Sequence, residues 1–369
     1  MSPPTPTGWL SVEPLDTVMV RDGRRFDAGV SARAEATAPP PSTFGGALHT
    51  ALGGRIDEVS GRVDEIHGYV VSTDAGLVFP PPADVVRHEG RHRRLRAEQR
   101  PGDEKWDLDL DDGHRLSHAL AGDGEPLTDK WVTAGGLRAW LRAEPPYAPG
   151  AELGDAPGLV DPPWQPEPRL GLARHWDGEL IGTSRSGLLY TMSHLRPQRG
   201  TRFLVPFTNG DEPKLRRDLV PLGGRGRLAH VELNAGRMPG LPEAPDGFPG
   251  GRLTVYLATP ALFGVDDDAP NAAHARADVW WAPDEAVLCA LALPGLVPIA
   301  TASDRPGGVH ADTRRLMWAA PAGTVFYLRF DDDASAKRWS KANHGFLLPG
   351  ASNSPLRTAG FGLCLTGSW

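Results

Sequence analysis

Ser42-Thr43-Phe44-Gly45-Gly46-Ala47-Leu48-His49-Thr50-Ala51-Leu52-Gly53-Gly54-Arg55-Ile56 is the stretch that decides the fold class. Phe44, Ala47, Leu48, Ala51, Leu52 and Ile56 recur at spacings of three and four, so one apolar stripe runs down a helix of three to four turns, with Ser42 or Thr43 as its N-cap. Such a stripe needs a sheet beneath it. Residues 9–20, rich in β-branched and apolar side chains and closed by the turn signal Arg21-Asp22-Gly23, supply its first strand. Further strand-like pieces lie at 63–72, 76–79, 169–175, 187–195, 202–207, 228–233, 252–258, 324–330 and 361–366, while only 133–143 and 333–343 read as additional helices. Strands interrupted by single helices, without sequential βαβ units, predict an α+β protein of antiparallel sheets with helices on one face.

The 369 residues suffice for two cores of ordinary size. Residues 144–168 hold eight prolines and no periodicity, which predicts a connection between two halves, 1–168 and 169–369. The 44 glycines and 37 prolines make up about a fifth of the chain, against a usual share of roughly 12%, so many loops and short strands are expected. Two cysteines, Cys289 and Cys364, build neither a disulfide framework nor a four-cysteine zinc site and suit a reducing compartment. The longest apolar run, residues 286–300, is broken by Pro294, Gly295 and Pro298, and the first seven residues lack the pattern of a signal peptide. A cytoplasmic protein without a membrane segment is expected.

His88-Glu89-Gly90-Arg91-His92 matches the zinc-protease pattern H-E-x-x-H, but Gly90 interrupts the helix this chemistry needs and three prolines precede it. A solvated basic loop is the expected alternative. Asp107, Asp109 and Asp111 begin like a calcium loop, but the turn glycine is displaced and His118 occupies the position of the bidentate glutamate. Asp266–Asp268 and Asp331–Asp333 read as turns or helix caps. Gly224-Arg225-Gly226-Arg227 is followed by a strand rather than a helix, which removes the helix terminus a dinucleotide site requires. No phosphate-binding P-loop and no Gly-x-Ser-x-Gly elbow occurs. No cofactor and no metal are expected.

A net charge of −7 neither advertises nor excludes a nucleic-acid binder, because binding depends on where cations cluster. Cationic residues, mostly arginines, gather at Arg21, Arg24 and Arg25, at 87–100, and at Lys214, Arg216, Arg217, Arg225 and Arg227. Their planar forks can hold phosphates bidentately. The amides freed by Gly223, Gly224 and Gly226 can contact an RNA backbone, and a tight hairpin is the alternative.

Several segments taken in order resemble one family. They are Pro14-Leu15-Asp16-Thr17, Arg21-Asp22-Gly23-Arg24-Arg25-Phe26-Asp27, Pro41-Ser42-Thr43-Phe44 with Gly46-Ala47-Leu48, and Phe79-Pro80-Pro81-Pro82-Ala83-Asp84. Arg169-Leu170-Gly171-Leu172, Gly187-Leu188-Leu189-Tyr190, Leu222-Gly223-Gly224-Arg225-Gly226-Arg227, Tyr256-Leu257-Ala258-Thr259-Pro260, Ala322-Gly323-Thr324-Val325-Phe326-Tyr327 and a terminal Gly360-Phe361-Gly362 with Gly367 follow. The set resembles the RAMP-superfamily subunit that binds the 5′ tag of the crRNA in type III-B (Cmr) CRISPR effectors, the third subunit of that module. Arg25 stands in place of the family's usual proline, and His49 in place of a common arginine.

The resemblance implies two ferredoxin-like, RRM-related domains and a non-catalytic role in antiviral defence. Its partners would be the crRNA 5′ tag, the large signalling subunit and the backbone subunit, with target RNA met only indirectly. RNA contacts are then expected from Arg21, Arg24, Ser42, Thr43, His49, Gly223, Gly224, Arg225, Arg227, Gly360, Phe361 and Gly362. The enzyme alternative is a metal-independent RNA-processing endonuclease with His49 as general base, and the remaining alternative is the equivalent subunit of a sister type III subtype.

Overall fold

The computed structural model describes residues 6–20, 37–53, 65–100, 116–154, 157–172, 189–209, 213–224, 226–263, 281–301, 315–349 and 359–369. The chain opens with β1 (Gly8–Pro14) and α1 (Pro41–Ala51), then passes through the short strands β2 (Glu65–Ile66), β3 (Val70–Thr73) and β4 (Gly76–Phe79). β5 (Val85–His88) and β6 (Arg91–Arg94) form a hairpin, followed by β7 (Arg96–Gln99), β8 (His118–Ala121), β9 (Glu125–Pro126) and β10 (Trp131–Thr133). α2 (Ala134–Leu141) leads to β11 (Leu159–Val160) and to a two-stranded ribbon, β12 (Trp164–Leu172) with β13 (Leu189–Pro197). β14 (Arg202–Thr208), β15 (Leu219–Pro221) and β16 (Leu228–Ala235) come next, then β17 (Arg252–Leu257) and β18 (Ala286–Ala292). A second ribbon, β19 (Val297–Thr301) with β20 (Arg315–Ala319), precedes β21 (Val325–Phe330), α3 (Asp333–Asn343), β22 (Phe346–Leu347) and β23 (Leu363–Ser368).

Every strand pairing among the described residues is antiparallel. The fold is therefore α+β with few helices, as expected. The first sheet runs β11-β10-β4-β3-β14-β1-β16-β15, with β2 joined to β14, and the second runs β18-β21-β17-β23-β22. The division expected after Pro168 falls inside β12, and β14, β15 and β16 from its far side hydrogen-bond into the first sheet. The change from one sheet to the other lies between Ala235 and Arg252.

Period-two alternation gives each sheet two apolar faces. In the first sheet Leu10, Val12, Val71, Val78, Phe203 and Val205 pack under Phe44, Ala47, Leu48 and Ala51 of α1. Val70, Phe79, Val132 and Leu204 point the other way, into a core shared with Leu137, Trp140 and Leu141 of α2. The same core receives Tyr256, Val325, Tyr327, Leu363 and Leu365 from the second sheet. The opposite face of that sheet, with Leu253, Val255, Phe326 and Leu328, is covered by Ala336 and Trp339 of α3. Two sheets thus pack through a common core with α2 beside it, and each carries one helix on its outer face. Gly367 permits the approach of α2, since a Cβ there would lie 2.7 Å from the Leu141 carbonyl oxygen.

The helix ends follow their capping chemistry. Thr133 caps α2, accepting from the Gly136 amide at 3.2 Å, and Asp332 caps α3 through the Ser335 amide at 2.6 Å. α1 differs from expectation. Its N-cap is Pro40, extended at φ −66° and ψ 153° without a side-chain cap, so Ser42 and Thr43 lie inside the first turn. Pro41 takes the first helical position, where a missing N–H costs nothing, and starts the helix ahead of the hydroxyls. The helix ends at Ala51, and Ile56 lies outside the described residues.

An ion pair sits inside the shared core. Asp84 and Arg94 are 0% and 1% exposed, and Arg94 Nε donates to Asp84 Oδ2 at 2.9 Å. Asp84 also accepts from Trp140 Nε1 at 2.9 Å and from the Tyr327 hydroxyl at 2.6 Å. The Arg94 guanidinium lies 4.5 Å from the Trp140 ring centre and donates to the Trp140 and Tyr147 carbonyls at 3.0 and 2.8 Å. Burial and the Asp84 charge raise the Tyr327 hydroxyl well above its ordinary pKa, so it stays a donor. Removing one member strands the other charge, so Asp84→Ala is expected to destabilise the protein by about 3–5 kcal/mol. The double replacement Asp84→Leu with Arg94→Met should recover most of that loss in urea titrations. A single variant no less stable than the double would contradict the role of the pair.

Candidate nucleic-acid interface

The ribbon β12–β13 carries charge by alternation. Glu167 and Arg169 on one strand and His194 and Arg196 on the other share a face, with Glu167 directly opposite His194. Backbone bridging between Val18 and Leu195, at 2.8 and 2.9 Å, pins this ribbon to the segment after β1. Asp16 is thereby brought among the arginines. Arg169 Nε and Nη2 both reach Glu167 Oε1 at 2.7 Å, and Arg196 Nε donates to Glu167 Oε2. Arg196 Nη2 lies 3.3 Å and Arg169 Nη2 3.7 Å from Asp16, and Arg227 Nη1 closes on Asp16 Oδ2. Three guanidiniums thus share two carboxylates.

The electrostatics follow from these contacts. Hydrogen bonding by Arg196, with Arg169 behind it, outweighs partial burial and holds the Glu167 carboxyl down at about 2. The Thr17 amide and the guanidiniums of Arg227, Arg169 and Arg196 hold Asp16 below its ordinary value. His194 is 1% exposed, with Nδ1 2.9 Å from the Thr17 hydroxyl. Its pKa is lowered by burial and then by Arg169 and Arg227, which keeps the ring neutral near pH 7.

Of the residues expected to meet RNA, Arg227, Gly223 and Gly224 belong to this neighbourhood. The Gly224 amide donates to the Met19 carbonyl at 2.8 Å. Gly223 has φ +75°, and a Cβ there would stand 2.5 Å from the same oxygen, so only glycine allows this approach. Arg21, Arg24 and Arg225 lie outside the described residues. Ser42 and Thr43 are half-buried in the first turn of α1, and His49 is half-buried in its last turn.

Gly360, Phe361 and Gly362 form a second neighbourhood at the seam between the sheets. A Cβ at Gly360 would lie 2.8 Å from the Gly68 amide nitrogen and 2.9 Å from Ile66, whose Cδ1 is 3.4 Å from where a Cβ on Gly45 of α1 would stand. Three of the loop's backbone groups are engaged internally: Gly362 donates to Pro260 O at 2.8 Å and accepts from the Leu348 amide at 2.8 Å, and Gly360 O accepts from Thr259 at 3.2 Å. Phe361 is 2% exposed and packs with Leu262, Ile299, Met317 and Ala319, so its ring belongs to a core and presents no stacking face.

His88-Glu89-Gly90-Arg91-His92 is the tip of the β5–β6 hairpin. Glu89 and Gly90 turn the chain at φ 49° and 78°, and His92 faces Arg87 across the ladder. The two histidines are therefore not one helical turn apart, which removes the geometry of a zinc protease. Among the described residues no three metal-ligating side chains gather and no helix is long and apolar enough to span a membrane. Asp107, Asp109, Asp111 and Asp266–Asp268 lie outside the described residues, while Asp333 accepts from the Phe248 amide at 2.8 Å.

Asp16, Thr17, Glu167, Arg169, His194 and Arg196 were not anticipated as a group. The i, i+2 spacing of Glu167 with Arg169 and of His194 with Arg196 signals one ribbon face, but their meeting with Asp16 depends on long-range pairing. The seam offers its own test. His67, 1% exposed, has Nε2 2.6 Å from the Thr208 hydroxyl, and burial lowers its pKa to about 4. A folded-state value below the unfolded 6.5 means the stability is present above pH 6.5 and lost as pH falls towards 4. Thermal melts should show this decline, and His67→Gln should flatten it. An identical decline in the variant would assign the loss elsewhere.

The sequence model of the CRISPR-associated protein family Cas_Cmr3 matches residues 10–369. Among solved structures, the chain is similar to one from the type III-B Cmr-beta complex bound to cognate target RNA and AMPPnP, state 1, at 16% identity and a TM-score of 0.46, with 86% of each chain covered. A chain from that complex bound to cognate target RNA gives 14% identity and a TM-score of 0.45 at the same coverage. No curated protein matches. With nearly its whole length matched, the chain belongs to the Cas_Cmr3 family of CRISPR-associated proteins.

Proposed function

We propose that this chain is the non-catalytic subunit of a type III-B CRISPR effector that binds the 5′ tag of the crRNA and docks to the large signalling subunit and the backbone subunit. The observation that carries the reading is the family match across residues 10–369. Two features of the fold support it. Each antiparallel sheet packs a helix on its outer face, one of the two helices that a ferredoxin-like β-α-β-β-α-β unit carries, and we read the chain as two such units. Arg227 and the Gly223–Gly224 turn lie beside the arginine-bearing ribbon, whose guanidinium forks suit the phosphates of an extended strand. Arg21, Arg24, Arg225, Ser42, Thr43, His49 and the Gly360–Gly362 loop belong to the proposed contact set on sequence grounds.

The reading is tested by affinity purification of the tagged protein from its native cells. Recovered RNA should share one repeat-derived 5′ end and arrive with the large subunit. Protein recovered alone and RNA-free from cells expressing the locus would overturn the proposal. In the reconstituted protein, replacing Arg225 and Arg227 by alanine should weaken RNA binding and reduce the slope of log K against log salt by roughly 1.4, about 0.7 for each lost phosphate contact on a single strand. An unchanged slope would remove these two arginines from the interface.

A further inference from the structure

The cluster on the β12–β13 ribbon contains more binding capacity than its internal partners use. Glu167 occupies Arg169 and Arg196, and Asp16 occupies Arg227 with weaker reach to the other two. One positive charge is left over. Among the described residues, two buried nitrogens of this cluster also lack a partner, Arg227 Nε and His194 Nε2. Such orphaned polar atoms are uncommon in folded proteins and mark a ligand or an ordered water. When the Thr17 hydroxyl donates to His194 Nδ1, Nε2 carries the proton, so both nitrogens are donors. Arg196 is the group nearest to solvent, with half of its side chain exposed.

We propose that Arg169, Arg196, Arg227 and His194 form a phosphodiester-binding site for single-stranded RNA, held preassembled by Asp16 and Glu167, with an RNA phosphate replacing Glu167 on Arg196. The proposal rests on the RNA-binding reading above and adds residues outside its contact set. A carboxylate and a phosphate engage the same guanidinium fork, so the carboxylates act as internal stand-ins that keep the arginines ordered. Displacing Glu167 opens Arg196 and Arg169 together and lets a phosphate oxygen reach the donors behind them. Glu167 remains ionised throughout the physiological range, so it competes for the arginines whenever RNA is absent. The exchange is a competition between anions and breaks no covalent bond.

The test uses the full chain and a fluorescein-labelled, eight-nucleotide single-stranded RNA, with binding followed by anisotropy across a salt series. Glu167→Gln should tighten binding about three- to tenfold and steepen the salt slope by about 0.7 for each guanidinium newly engaged. Arg196→Ala should weaken binding in the native background and cancel the gain of Glu167→Gln. Glu285→Gln, on the exposed turn before β18, alters the net charge equally and should leave affinity within twofold. Circular dichroism melts establish that each variant is folded, and Arg196→Ala decides the matter if Glu167→Gln is not. Equal gains from Glu167→Gln and Glu285→Gln, or an unchanged affinity in both Glu167→Gln and Arg196→Ala, overturn the latch while the tag-binding reading stands. Failure of the native chain and every variant to bind the RNA overturns both.

Discussion

The Asp84 carboxylate ties the molecule together. It sits without solvent between β5–β6, α2 and β21, accepting from Arg94, Trp140 and Tyr327. Apolar contacts alone let two packed sheets slide, because burial is non-directional. A buried charge with three directional donors does not, since any displacement leaves an ion unsatisfied in a low-dielectric interior. Buried ion pairs are weak contributors to net stability, so the contribution of Asp84 lies in fixing one arrangement. That arrangement holds β5–β6, α2 and β21 together at the seam between the sheets.

The blocks that carry the family resemblance divide according to this architecture. Tyr256 donates to the Pro80 carbonyl at 2.7 Å, Ala83 to Gly323 O at 2.8 Å, and Tyr327 to Asp84. The segments containing Phe79–Asp84, Tyr256–Pro260 and Ala322–Tyr327 therefore meet at the seam and hold the sheets together. Pro14–Thr17 and Leu222–Arg227 meet elsewhere: Leu15 pairs with Leu228 at 3.0 Å and Asp16 with Arg227, at the charged ribbon. One group of blocks explains the scaffold, and the other lies where cations reach the surface.

Local chemistry was legible in the sequence wherever it was decided locally. Asp332 announces α3 and Thr133 announces α2 because a side-chain oxygen satisfies amides three residues on. Alternation located β1, β3, β4, β14 and β16 of the first sheet and β17, β21 and β23 of the second, because each separates two apolar faces, but it left β10, β11, β15, β18 and β22 unread. The start of α1 was misread because Pro40-Pro41 set the backbone before Ser42 could cap it. The prolines of 144–168 look like a linker, yet Pro166 and Pro168 stand in β12. A two-stranded ribbon tolerates them because each strand has an outward edge that needs no donor. Asp84 and Arg94 are ordinary surface types in a basic stretch, and nothing local reveals that they are buried. The charged cluster was hidden for the same reason, drawing on positions 16, 167, 169, 194, 196 and 227.

On the proposed reading, that cluster reconciles an acidic chain with a polyanionic ligand. At a net charge of −7 long-range attraction is absent, and beyond about 8 Å salt screens what remains. Recognition then depends on contact-range geometry. Free arginines on such a surface would lose about 2 kcal/mol of rotamer entropy each when they seize a phosphate. Arginines already held by Asp16 and Glu167 have lost much of that freedom on folding. The cost is competition from the carboxylates, which a single small anion has little means to overcome. A strand whose successive phosphates engage several guanidiniums together overcomes it, because the second contact forms at the high effective concentration set by the first. An internally paired arginine cluster therefore favours an extended polyanion over free anions, even though its net charge is small.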